Sequence, residues 1–146
     1  MKKEKLLISA CLMGENVKYN GKNNLIELTK LQDAYELIPF CPEVAGGLPT
    51  PRFPSEIIST HPLKLLNTQN KDVTKEFMMG AEETLKIIKK HKIKKALLKA
   101  NSPSCSSNFV YDGTFSGRLI EGYGVTTLLL KKSRIKVFDE FDIGLM

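Results

Sequence analysis

Apolar positions along the 146-residue chain fall into short blocks separated by polar, turn-rich stretches. Leu6 to Ala10 is a continuous apolar run, the pattern of a strand covered on both faces. The polar loop Gly14 to Asn24 follows, with Asn20-Gly21 as a turn signal. Leu25, Leu28 and Leu31 recur at helical spacing and predict a helix of about ten residues. Tyr35 to Phe40 reads as a second strand that must end at Pro42. Pro42 to Pro54 is rich in proline and glycine and reads as an ordered loop. Ile57-Ile58 marks a short strand, and the polar stretch Lys64 to Asp72 a hairpin or insertion. Thr74 to His91 carries Phe77, Ala81, Leu85 and Ile88 on one face and predicts the longest helix. Lys95 to Lys99 reads as a buried strand, Ala100 to Gly117 as a polar segment, Gly124 to Lys132 as a helix and Ile135 to Phe138 as a final strand.

Strands alternating with helices predict a Rossmann-like α/β fold, a mainly parallel sheet flanked by helices and joined by right-handed crossovers. The length suits a single domain over residues 1–146. No internal repeat or linker breaks the pattern, and no apolar run approaches the roughly 20 residues that span a bilayer.

Composition adds little to that picture except at two places. The net charge is +6, from 22 Lys plus Arg against 16 Asp plus Glu, and much of the excess lies in Lys86 to Lys99. A solvated helix end accounts for that run, and attraction of phosphate-bearing ligands or RNA is the functional alternative. At the other place, Met1-Lys-Lys and the apolar residues before Cys11 resemble a lipoprotein leader superficially. Leu6 to Ala10 is shorter than the about 7–15 residues of a secretory core. The segment reads better as a buried first strand, and the expected location is cytoplasmic.

The three cysteines carry the candidate chemistry. Cys11, Cys41 and Cys105 each fall beyond the carboxyl end of a predicted strand, the edge where open parallel sheets bind ligands. They sit beside small or turn-forming residues rather than within apolar periodicity. An odd number of cysteines in a cytosolic chain is a poor disulfide framework. Three thiolates fall one short of a closed four-ligand site, and an open position is what a Lewis-acid catalyst needs. His61, before Pro62, and His91, at the lysine-rich helix end, read as solvated or capping residues rather than a fourth ligand. No Cys-x-x-Cys occurs, which argues against a zinc ribbon and thioredoxin-type chemistry. Ligand chemistry alone leaves zinc and an iron–sulfur cluster both open.

The wider motifs resemble a known family. Ser9-Ala10-Cys11-Leu12 with Gly14, Cys41-Pro42-Glu43-Val44-Ala45-Gly46-Gly47-Leu48 running on to Pro51-Arg52 and Pro54-x-Glu56, Lys99-x-x-Ser102-Pro103-Ser104-Cys105, and Tyr111 to Gly117 are similar to the thiouracil desulfurase family across nearly the whole chain. The resemblance implies a [4Fe-4S] cluster on Cys11, Cys41 and Cys105, with one iron free for the substrate's sulfur. It implies non-redox desulfuration of thiouracil or thiouridine monophosphate, with Glu43 as acid/base and Ser102 as an assisting hydroxyl. One departure is visible: Ser106 stands where the family usually has glycine, which bears on the turn at the cluster and on substrate fit.

In this reading Glu43, two residues beyond Cys41, takes a proton from the attacking water. Gly46 and Gly47 open their backbone N–H groups to an anion, and Arg52 pairs with phosphate or a ring carbonyl. Two alternatives accompany it: desulfuration of thiolated tRNA, and a non-enzymatic cluster or metal sensor or carrier. The expected partner is a small thiopyrimidine or its nucleotide, with no membrane.

Overall fold

The computed structural model describes residues 2–146. At its centre are four parallel strands in the order β2-β1-β5-β8: β1 Glu4–Ser9, β2 Tyr35–Phe40, β5 Lys95–Leu97 and β8 Lys136–Phe138. β1 lies between β2 and β5, pairing Leu7 with Ile38 on one side and with Ala96 on the other. Helix α1, Thr29–Ala34, joins β1 to β2, and α3, Thr74–Lys90, leads into β5. The chain therefore leaves β1 in opposite directions, and the boundary between β1 and β5 is a topological switch point.

The apolar run of β1 is continuous because both of its faces are covered. Leu7 points into a cluster with Ile88 of α3, Ala96 and Leu98 of the β5 segment, Val137 of β8, and Leu130 of helix α4, Val125–Lys132. Leu6 and Ile8 point the other way, onto Leu12, Leu31 of α1 and Leu97. Alternation within the strand is hidden because each face meets its own layer. A third cluster, Leu65, Val73, Phe77, Ala81 and Val125, seats a β-hairpin against α3 and α4.

That hairpin, β3 Ser55–Thr60 with β4 Leu63–Asn67, joins the expected short strand at Ile57-Ile58 to the stretch read as a hairpin or insertion, and the hairpin is what forms. Three expectations are corrected. The first helix begins at Thr29, not Leu25, because the Glu27 carboxylate accepts from both the Thr29 N–H (2.8 Å) and its hydroxyl (2.6 Å); Leu25 stays exposed. The proline-rich loop after β2 opens with a helical turn, α2 Pro42–Ala45, whose first residue is the proline that cannot continue the strand. The polar segment after Ala100 contains β6, Phe109–Tyr111, paired with β7, Leu119–Glu121. Among the described residues no helix is long and apolar enough to cross a membrane.

Candidate active site

The carboxyl ends of β1, β2 and β5 open onto one cavity of about 510 Å³. Its lining takes Ser9, Ala10 and Cys11 from the end of β1, Phe40 to Glu43 from the end of β2, and Lys99 to Pro103 with Cys105 from beyond β5. The three cysteines, 30 and 64 residues apart in sequence, thus meet as expected, and all three are free thiols.

Each is held by its own local device. Cys11 lies in a single 3-10 turn, Ala10–Met13, whose end is set by Gly14 at φ +89°. The Cys11 carbonyl accepts from Gly14 (3.2 Å) and Asn24 (2.9 Å), which folds the following loop back over the turn. Cys41 immediately precedes α2, and its carbonyl takes the Ala45 N–H at 3.0 Å. Cys105 sits in a tight loop: its N–H and that of Ser104 both donate to the Ser102 hydroxyl oxygen, at 3.0 and 3.1 Å. The start of α4 completes that loop. Val125 donates to the Pro103 carbonyl and Thr126 to the Ser104 carbonyl, each at 2.9 Å, and the Thr127 hydroxyl donates to the Cys105 carbonyl at 2.7 Å. A side chain at Gly124 would overlap the Ser104 backbone, so glycine is required where the helix start meets the loop.

Burial pushes all three thiols above their ordinary range. Cys105, 5% exposed, is pushed up to about 12, with the neighbouring Cys41 adding to the effect of burial. Cys11 and Cys41 are raised for the same first reason. Left to themselves the three are held as neutral thiols, and only a bound positive centre would favour their thiolate forms. The nearby cations are not free to act as one: the Arg52 guanidinium lies 2.9 Å from Glu43 and the Lys99 ammonium 2.7 Å from Glu140. Among the described residues no three His, Cys, Asp or Glu side chains are close enough to grip one ion.

Glu43 lines the cavity from the first turn of α2. Its Oε2 accepts from Arg52 Nη2 at 2.9 Å. The same nitrogen donates to the Val17 carbonyl (2.9 Å), and Nη1 donates to the Pro49 carbonyl and the Thr50 hydroxyl. The buried Arg52 Nε–H has no partner among the described residues. Arg52 is thus first a brace for Glu43, a role that spacing alone did not reveal. Ser102 also lines the cavity; its oxygen is used by two N–H groups, while its own proton stays free to donate.

Gly46 and Gly47 do not reach the lining, which corrects their expected part in holding an anion. Gly46 is a contact glycine: a side chain there would overlap the Glu76 carbonyl of α3, and one at Gly80 would overlap Pro42. Gly47, at φ +98°, makes the turn out of α2. Ser106 is fully buried but directed away from the cavity, its hydroxyl donating to the Phe109 carbonyl, so it acts on the turn rather than on substrate fit.

The motif Tyr111 to Gly117 is placed by Glu56, which accepts from Gly113 (2.9 Å) and Phe115 (3.2 Å). A side chain at Gly113 would press on the Ile57 carbonyl. Glu56 and Tyr111 both face the cavity, which joins two motifs that are far apart in sequence. Lys18, Tyr19, Asn24, Lys99 and Phe53 also line it. Lys99 belongs to the motif that ends at Cys105; no spacing rule marks the other four, since they reach the cavity only through loop packing.

Comparison with known proteins gives the same picture. The family model described as 2-thiouracil desulfurase matches residues 6–142. The uncharacterized protein YbbK of Bacillus subtilis (strain 168) is 40% identical over 147 residues, covering 95% of this chain and 97% of its own. A solved structure of the [4Fe-4S]-dependent thiouracil desulfidase TudS superposes with a TM-score of 0.91 at 41% identity, covering 98% of this chain and 95% of that one.

Proposed function

The chain belongs to the 2-thiouracil desulfurase family, and on that basis we propose that it is an iron–sulfur-dependent desulfidase converting a thiolated pyrimidine to its oxo form. The observation that carries the reading is the convergence of one buried and two half-buried thiols and one braced carboxylate on a single cavity at the switch point of the sheet. Cys11, Cys41 and Cys105 would hold a [4Fe-4S] cluster, as the name of the TudS relative indicates for that protein. Bound there, it supplies a Lewis-acidic iron with affinity for soft sulfur, which makes the thiocarbonyl carbon more electrophilic.

The protein's own groups then manage water and protons. Among the described residues Glu43 Oε1 has no hydrogen-bond partner, so it can take a proton from a water as the water oxygen bonds to the ring carbon. Arg52 fixes the other oxygen, so Glu43 is oriented before substrate arrives. The Ser102 hydroxyl is a donor lining the same space, suited to the ring carbonyl or the water. As the carbon–sulfur bond breaks, the sulfur takes up the two protons that the water gave. Thiouracil plus water thus gives uracil plus hydrogen sulfide, with no net change of oxidation state. Thiouridine monophosphate reacts by the same balance.

Uracil and sulfide should appear in equal amounts when anaerobically reconstituted protein is given 2-thiouracil, and neither when the protein is cluster-free. Stable cluster binding without any product would make the chain a carrier or sensor instead.

A further inference from the structure

The Ser9 hydroxyl lies at the end of β1, where the two halves of the sheet part, and no step above uses it. The β1–β5 ladder ends with Ile8 opposite Leu97. Two residues on, the Lys99 N–H lies beyond the ladder and donates to Ser9 Oγ at 2.9 Å. With that oxygen accepting, the hydroxyl's own proton must go elsewhere. Ser9 is only 3% exposed, so water has almost no access to it. The acceptor within reach is Cys105 Sγ, at 3.7 Å, a separation that the larger sulfur atom allows.

The other contacts that fix Cys105 go to its backbone: Ser102 Oγ takes its N–H at 3.0 Å, and the Thr127 hydroxyl donates to its carbonyl at 2.7 Å. Among the described residues Ser9 gives the one hydrogen bond that reaches the sulfur. Ser9 is also the residue from which the turn bearing Cys11 starts. One hydroxyl therefore joins the strand end that carries Cys11, the first residues beyond β5, and the sulfur of Cys105. Hydrogen bonds to ligand sulfurs draw electron density from the thiolate and are among the levers that tune an iron–sulfur cluster. We infer that Ser9 is a positioning residue for desulfuration: its hydroxyl holds Cys105 Sγ in register with Cys11 and, by hydrogen-bonding the thiolate, strengthens the Lewis acidity of the cluster iron. The inference rests on the desulfidase reading and deepens it. It gives a part to the first residue of the Ser9-Ala10-Cys11-Leu12 motif, whose cysteine alone had one.

The test compares the full chain, anaerobically reconstituted, as wild type, Ser9→Ala, and the near-isosteric pair Ser9→Thr and Ser9→Val. Thr and Val are both branched at Cβ and differ in the hydroxyl. Iron content and the one-electron midpoint potential of the cluster are measured in each. The reaction itself transfers no electrons, but the potential reports electron density at the cluster. A hydrogen bond to the thiolate favours the reduced, more electron-rich cluster, so Ser9→Ala and Ser9→Val should be harder to reduce than wild type. The expected change is about tenfold in the reduction equilibrium, the lower end of what a hydrogen bond to a charged group contributes, or about 59 mV for one electron. Ser9→Thr should stay near the wild-type potential. In Ser9→Ala and Ser9→Val, kcat for 2-thiouracil should fall with KM little changed, because charge on the departing sulfur grows in the transition state. An unchanged potential in Ser9→Ala, or the same potential in Ser9→Thr as in Ser9→Val, would overturn the role. Equal loss of iron from Ser9→Thr and Ser9→Val would overturn it too, since shape and not the hydroxyl would then matter. The potential needs no turnover, so a cluster that catalyses nothing still decides Ser9. A chain that holds zinc and no labile sulfide would instead overturn the desulfidase reading, and the role of Ser9 with it.

Discussion

Glu43 and Arg52 divide the work on one wall of the cavity: the carboxylate faces the reacting space and the guanidinium, 6% exposed, keeps it there. Replacing Glu43 by Gln keeps the side chain's size but removes its ability to take a proton. Turnover should fall by roughly 10²–10⁴-fold, the usual contribution of a positioned acid/base. The loss should sit in kcat with KM little changed, because the proton moves only in the transition state. Iron content measured alongside should equal that of wild type; a protein that loses its cluster would make Glu43 structural. Ser102 differs in kind, because its oxygen already holds the Ser104 and Cys105 N–H groups. Its turn-forming role and its facing of the cavity are both real, so Ser102→Ala should disturb the Cys105 loop as well as the rate.

The elements explain why Gly46 matters despite lying off the cavity. α2 carries Glu43 and follows Cys41, and it rests on α3 through backbone contact at Gly46 and Gly80. Gly46→Ala must push α2 off α3, so it should cost about 1–3 kcal/mol, the range of overpacking, and lower cluster content and activity with it. Gly47→Ala has open space and only a strained backbone to bear, so its smaller loss of stability should leave iron content unchanged. Thermal unfolding and iron analysis of the two variants check the contrast. The central strands were legible in the sequence because both faces of β1 are covered and Pro42 stops β2. The hairpin strands β6 and β7 were not: each has three residues, and β7 is exposed throughout, so no apolar alternation marks them. The convergence of the cysteines followed from strand order. The pairing of Glu56 with the Gly113 loop and of Arg52 with Glu43 did not, since both depend on how loops pack.

Across the whole molecule the lysine-rich stretch between α3 and β5 is placed away from the chemistry. α3 ends at Lys90 and β5 starts at Lys95, so Lys89, Lys90, Lys92 and Lys94 lie at the amino edge of the sheet, opposite the cavity, as do Lys131 and Lys132 at the end of α4. The net charge of +6 therefore lends little support to an RNA substrate guided to the cavity. Reversing Lys89, Lys90 and Lys92 together to Glu should leave kcat/KM for a free thiopyrimidine unchanged, since screening removes interactions beyond about a Debye length, ~8 Å at physiological salt. A marked fall would show that this edge steers substrate after all. The central claim concerns what the three thiols hold, and metal analysis of anaerobically reconstituted protein tests it most directly. About four irons per chain with matching acid-labile sulfide, lost when Cys11, Cys41 or Cys105 is replaced by Ala, is the predicted result. Stoichiometric zinc without labile sulfide would contradict it.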